Sequence, residues 1–237
     1  MMNPIAAVKG LHAFVSVVRN TKRLEPVFAL ADSLENDKFL VPVIEDLKRT
    51  EEGATALATL RRLPPWDLPA LASYPEGSLG KSFYDHLRTA KIDPSALPTL
   101  PASDPRAYVR AHLYETHDLW HALTGFDVDE AGELGLQAFY LAQFRSPLAL
   151  AILAAGFLNT ALYAMEDRVR RMDAISVGWG MGRFAKPIFG IDWESLLAEP
   201  ISEVRKRYRV MPVIAALEGA KGHRAPLHSA RDAASLA

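Results

Sequence analysis

Residues 104–143 leave the fewest choices about how this chain folds. Asp104 offers a side-chain acceptor to a first helical turn, and Pro105 follows it with no N–H to lose. Apolar positions then recur at helical spacing as far as Leu123, where Gly125 supplies a left-handed stop. Asp127, with Glu130 three residues on, reads as a capping box that opens a second helix over about 128–143. Two helices with so short a connection run antiparallel, so one face of the second returns onto the first. On the first helix His117, Asp118 and His121 fall at azimuths of about 0°, 100° and 40° and share a face. Glu133 comes back towards that face from the second helix. Two imidazoles and two carboxylates then converge, a donor set suited to a borderline divalent ion such as zinc.

The rest of the chain shows helical spacing and no convincing strand pair. Helices are expected near 4–19, 24–33, 36–49 (weakened by Pro42), 51–62, 80–90, 147–166, 168–184, 193–198 and 201–208. Residues 63–78 read as an ordered loop anchored by Trp66 and Tyr74, and 91–103 as a proline-bearing connector. The expected fold is all-α, a single helical domain over 1–215. A flexible tail over 216–237 is expected from its run of Gly, Lys, His, Arg, Ser and Ala.

Composition narrows function mostly by exclusion. A net charge of −1, with no basic face interleaved with aromatics, argues against a nucleic-acid partner. Cysteine is absent, which removes disulfides, thiolate metal sites and cysteine nucleophiles and suits a reducing compartment. The start, Met1-Met2-Asn3-Pro4, lacks the charged region and small-residue cleavage site of a secretory signal. The longest apolar run, Leu148–Leu158, is too short to span a bilayer, and its continuation is interrupted by Asn159 and Thr160. It is expected to be a buried or pocket-lining helix, with contact to a lipid surface as the alternative.

The donor group has competing readings. Two histidines at i and i+4 resemble the zinc-binding helix of His-Glu-x-x-His proteases, but Asp118 is a methylene shorter than the glutamate that serves as base there. Asp118 therefore either ligates the ion or orients a ligand from behind it. The plain alternative is a pair of hydrogen-bonded core histidines. His117-Asp118 also evokes HD-type phosphohydrolases, whose further histidine and aspartate cannot be placed here. His112 lies about 140° from His117 and reads as a surface or supporting group. Gly178, Gly180 and Gly182 read as close helix packing and not as a nucleotide loop, because no strand precedes them. Arg168, Arg170, Arg171, Arg183 and Lys186 read as a solvated face that can alternatively meet an anionic head group.

With its flanks, His117-Asp118-x-x-His121, eleven residues, Glu133 resembles the signature of the coenzyme Q (ubiquinone) biosynthesis family called Coq-four. The supporting stretches are Tyr74 to Gly80, Leu119 to Gly125, Gly132-Glu133-Leu134 and Ile191-Asp192-Trp193-Glu194, with Pro200 and Val204-Arg205 beyond. The resemblance implies an all-helical fold and a metal held by His117, Asp118, His121 and Glu133, zinc foremost, with magnesium or another divalent ion as the alternative. It implies oxidative decarboxylation at ring carbon one of a polyprenylated hydroxybenzoate-type intermediate, the carboxyl being replaced by a hydroxyl. A non-catalytic prenyl-lipid-binding scaffold is the other role it implies, and a prenyl-phosphate phosphohydrolase is a third reading. The long apolar helix would line a slot for the prenyl tail. The expected partners are a polyprenylated quinone precursor or other prenyl lipid, other quinone-biosynthesis proteins, a membrane surface and a second copy in a homodimer. The expected place is cytoplasmic, peripheral to the inner membrane, as for a bacterial-type member.

Overall fold

Among the described residues of the computed structural model, seven helices open on a side chain that accepts a backbone N–H. That fixes where the elements around the donors begin. Thr50 caps Glu51–Thr59, Asp67 caps Leu68–Ala72, Ser78 caps Leu79–Ala90 and Asp104 caps Pro105–Thr124. Asp129 caps Glu130–Gln143, Ser146 caps Pro147–Tyr163, and Asp192 caps Trp193–Leu196. In chain order the helices are α1 (Pro4–Arg19), α2 (Leu24–Ser33), α3 (Asp37–Leu47), α4 (Glu51–Thr59), α5 (Leu68–Ala72) and α6 (Leu79–Ala90). They continue with α7 (Pro105–Thr124), α8 (Glu130–Gln143), α9 (Pro147–Tyr163), α10 (Arg168–Phe184), α11 (Trp193–Leu196) and α12 (Ile201–Tyr208). The structure describes residues 4–21, 23–34, 37–94 and 99–213; the expected tail over 216–237 lies outside them. Among the described residues there is no strand, only an isolated bridge between Ser78 and Pro200. The all-α expectation holds.

α7 runs through the middle of the main core. Tyr108, Val109, Leu119, Trp120 and Leu123 pack there with Phe83 and Leu87 of α6, Leu136 and Phe139 of α8, Trp193 of α11 and Val204 of α12. α10 lies along α8 at a separation set by glycine. A Cβ on Gly178 would sit 1.9 Å from the Gly135 carbonyl oxygen, and one on Gly182 2.8 Å from that of Phe139. Gly180 has open space around it, so the packing role expected for all three glycines belongs to two. α1 packs on α2 and α9 through a small cluster of Val17, Val18 and Ala155.

The segment 197–205 ties the site-bearing helices together. Leu79 N–H and Gly80 N–H donate to the carbonyls of Glu199 and Leu197, each at 2.8 Å, which pins the start of α6. Arg205 donates to the carbonyls of Leu123 (2.8 Å) and Ala122 (3.1 Å), satisfying acceptors that the last turn of α7 leaves without a helical partner.

Several local expectations are corrected. α8 begins at Glu130 on an Asp129 cap, not on Asp127, because the Asp129 carboxylate takes the N–H groups of Ala131 and Gly132. A short helix, α5, occupies part of the segment expected as a loop, though its anchors hold: Trp66 meets Phe83 edge-on and Tyr74 lies against Gly80. α3 runs through Pro42. His112 is core: Gly190 N–H donates to its Nε2, and Nδ1 faces the Tyr108 hydroxyl. Arg171 does not belong to a solvated face. It is 5 % exposed and binds Asp167, Asn159 and Thr160. No single helix among the described residues is long and apolar enough to cross a membrane; α9 and the following Met165–Phe184 segment meet at 118°. α9 buries Ala149, Leu153, Ala155 and Gly156 but exposes Leu150, Phe157, Leu158 and Leu162.

Candidate metal centre

The left-handed Gly125, with a φ of 78°, ends α7 and allows the return of α8. His117 and His121 stand one turn apart on α7, with ring centroids 4.8 Å apart. Glu133, in the first turn of α8, reaches back so that Oε1 lies 3.2 Å from His121 Nε2 and Oε2 lies 3.7 Å from His117 Nε2. One ligand atom from each of these three residues falls within 4.8 Å of the others. Asp118 lies outside that group. Its Oδ1 is 3.6 Å from His117 Nδ1, on the side of the ring away from the Glu133 contact.

The donor chemistry fits a divalent ion. A carbonyl oxygen can only accept, so the 2.9 Å contact between His121 Nδ1 and the Phe126 carbonyl places that ring's proton on Nδ1. Nε2 then turns a lone pair towards Glu133, is fully buried and makes no hydrogen bond. Two acceptor atoms 3.2 Å apart repel unless a proton or a cation lies between them. Donor atoms around a tetrahedral zinc sit about 3.3 Å apart; the two Glu133 contacts, at 3.2 and 3.7 Å, are near this, and the widest pair of the three lies within 4.8 Å. The Phe126 contact is the kind of outer hydrogen bond that metal-ligating histidines make.

Electrostatics keep the carboxylates charged. Burial raises the pKa of Glu133, but the two imidazoles beside it, His121 and His117, outweigh it, and the net shift is downward. Asp118 behaves likewise: burial pushes it up, and His117, His121 and His86 bring it below its ordinary value. For His117 burial alone lowers the pKa; the neighbouring carboxylates of Asp118 and Glu133 reverse this, leaving a rise. The three groups hold one another in the charged or donor-ready form.

Two neighbours escape sequence reasoning. His86 of α6 stacks on His121, centroids 5.4 Å apart at 15°, and Tyr140 of α8 lies against His117 at 6.2 Å. Both had a readable signal. His86 shares the buried stripe of Leu79, Phe83 and Leu87, and Tyr140 stands seven residues after Glu133 on the same face. One turn further along α7 and α8, Leu113 and Phe144 border an apolar cleft with Phe39, Leu40, Val43 and Val109. Its cavity volume is about 110 Å³, and it is partly open to solvent. α9 contributes its first residues, Pro147 and Leu148, to this cleft.

Residues 5–213 match the family described as "Coenzyme Q (ubiquinone) biosynthesis protein Coq4". The chain is 31 % identical over 172 residues to the mitochondrial ubiquinone biosynthesis protein COQ4 of Eremothecium gossypii, covering 68 % of this chain and 52 % of that protein. It is 26 % identical over 193 residues to the protein of that name from Yarrowia lipolytica, covering 79 % of this chain and 72 % of the relative. It thus spans about half the length of several of the fungal relatives it matches. Among solved structures, the crystal structure of a candidate ubiquinone biosynthesis protein from Nostoc punctiforme superposes with a TM-score of 0.77 at 28 % identity, covering 86 % of this chain and 98 % of that one. With a match running from α1 to the end of α12, this chain belongs to the Coq4 family of coenzyme Q (ubiquinone) biosynthesis proteins.

Proposed function

We propose that the protein is a metal-dependent oxidative decarboxylase of ubiquinone assembly, acting at ring carbon one of a polyprenylated hydroxybenzoate-type acid. The observation that carries this reading is the convergence of His117, His121 and Glu133 on one point, in a member of this family. These three residues would hold a divalent ion, zinc foremost, while Asp118 fixes the His117 ring through Nδ1 or completes the set. When bound, such an ion supplies Lewis acidity towards the carboxylate and phenol oxygens of the ring. In the reaction the bond from ring carbon one to the carboxyl breaks, carbon dioxide leaves, and a bond to hydroxyl oxygen forms at that carbon. Two electrons are removed overall, and dioxygen or another oxidant must accept them. Residues of the cleft beside Leu113 and Phe144 would take the start of the prenyl tail.

A scaffold role is the second reading, and a specific observation favours it. Leu150, Phe157, Leu158 and Leu162 of α9, with Val8 and Leu11 of α1, leave an apolar face exposed. Such a face suits peripheral attachment to the cytoplasmic side of the inner membrane and the presentation of a prenyl lipid to other quinone-biosynthesis proteins.

Turnover by the purified full chain separates the two. With zinc, an oxidant and a short-chain prenylated 4-hydroxybenzoate, carbon dioxide release and ring hydroxylation are expected. His121→Ala and Glu133→Ala abolish both while prenyl-lipid binding persists. Full turnover in those variants sinks the catalytic reading. Loss of function that follows only substitutions on the apolar face favours the scaffold.

A further inference from the structure

Each imidazole of the donor group is covered by a second ring that carries a polar atom of its own. His86 lies nearly parallel to His121, and Tyr140 lies against His117 with Trp120 stacked behind it at 4.3 Å and 16°. His86 Nε2 and the Tyr140 hydroxyl are both buried, and neither has a hydrogen-bond partner. The whole of Tyr140 is 5 % exposed.

Packing does not account for these atoms. Phenylalanine would fill the place of Tyr140 and leucine much of that of His86, without burying a polar atom that bonds to nothing. An unpaired buried hydroxyl is costly and is retained where something else completes it. Direction supports this. Side chains on a helix lean towards its N-terminus, so Tyr140 leans back along α8 in the direction of Glu133, two turns earlier. Its hydroxyl is a donor that finds no acceptor within the protein. The charges of Glu133 and Asp118 act on it, and neither carboxylate accepts from it. The Asp118 charge reaches His86 as well.

We propose that the Tyr140 hydroxyl and His86 Nε2 are the hydrogen-bonding contacts for the oxygens of a ligand seated at the donor group, and that they select a ring bearing a carboxylate over one without. This rests on the reading of the site given above, in which an aromatic acid binds beside His117, His121 and Glu133. The two residues would act on the ligand from opposite flanks, one from α6 and one from α8, leaving the metal donors free for the ion.

The probes are 4-hydroxybenzoate and the uncharged 4-hydroxybenzyl alcohol, titrated calorimetrically into zinc-loaded and zinc-free protein. Tyr140→Phe and His86→Leu are each expected to lose about ten-fold or more in affinity for the acid and little for the alcohol. Zinc content should be unchanged. Tyr140→Phe should melt at the same temperature as the wild type or higher, because the hydroxyl makes no hydrogen bond in the protein. Wild-type affinity for the acid in both variants overturns the proposal, as does a Tyr140→Phe protein that melts several degrees lower, which would reveal a structural partner. Failure of the wild type to take up zinc sinks the metal reading alone; the same ten-fold criterion, applied to zinc-free protein, then decides the role of the pair. A wild type that binds no acid in either form also overturns it.

Discussion

His121 gives its Nδ1 proton to the carbonyl oxygen of Phe126 across the turn between α7 and α8. One side chain thus both fixes the hairpin and aims a nitrogen at Glu133, so its loss should be felt twice. His121→Ala is expected to lose zinc and to be destabilised by about 2–3 kcal/mol, through a cavity and an unpaired carbonyl. Glu133, with a side chain 37 % exposed, should lose zinc on substitution by alanine with a stability change under about 1 kcal/mol. Metal content and urea denaturation on both variants test this; equal destabilisation would contradict it.

Asp118 sits on the Nδ1 side of His117, outside the three-donor group. Asp118→Ala should therefore weaken zinc binding by about 10- to 100-fold, as loss of an orienting partner does, and not abolish it. Competition with a chromophoric chelator gives the affinity. Complete loss, matching Glu133→Ala, would make Asp118 a ligand.

His112 supplies a pH dependence remote from the donors. Burial first, then the charges of Arg61 and Arg62, lower its pKa from 6.5 to about 4. The unfolded chain takes up this proton below about pH 6.5 while the folded chain refuses it until about pH 4. Stability from this group is therefore complete above about pH 6.5 and declines as the pH falls, by about 3 kcal/mol in total. His112→Gln should flatten that part of the stability curve. A wild-type curve with no slope between pH 6.5 and 4 that His112→Gln removes would count against the assignment.

The glycines of α10 should part company. Gly178→Ala drives a methyl into the Gly135 carbonyl and is expected to cost several kcal/mol, or to prevent α10 from seating on α8. Gly180→Ala meets open space in a helix interior and should stabilise by up to about 1 kcal/mol. Thermal melts of the two variants decide the matter.

Arg171 and Arg168 make a similar pair. Arg171→Ala removes the donor to the buried Asn159 Oδ1, a contact to the Thr160 hydroxyl and a partner of Asp167, and should cost about 3 kcal/mol. Arg168→Ala, at an exposed position, should change stability by less than about 0.5 kcal/mol. Near-equal effects would argue that the buried network carries no weight.

The hairpin was legible because its signals are local: Asp104 with Pro105, Gly125, and the one-turn spacing of His117 and His121. The Asp127 cap failed because two acidic residues stand within one turn, and which of them takes the free N–H groups depends on how α8 leaves the turn. His112 was rightly placed off the donor face, but α7 has core on several sides, so the far side is interior too. The burial of Arg171 follows from the fold-back after Tyr163, which sets it against Asn159 and Thr160; spacing along one helix cannot show that. His86 needed the docking of α6 on α7, a contact made across a proline-bearing connector.

The contact from Arg205 to the end of α7 joins residues 82 positions apart. A ribosome therefore finishes the donor hairpin long before it makes the guanidinium that caps it, or the turn at 197–199 whose carbonyls pin α6. Until then the carbonyls of Ala122 and Leu123 are left to water, and the wall carrying His86 has no anchor at its start. Tight zinc capture should accordingly mark a finished chain, and nascent chains arrested before residue 197 should hold the ion loosely if at all.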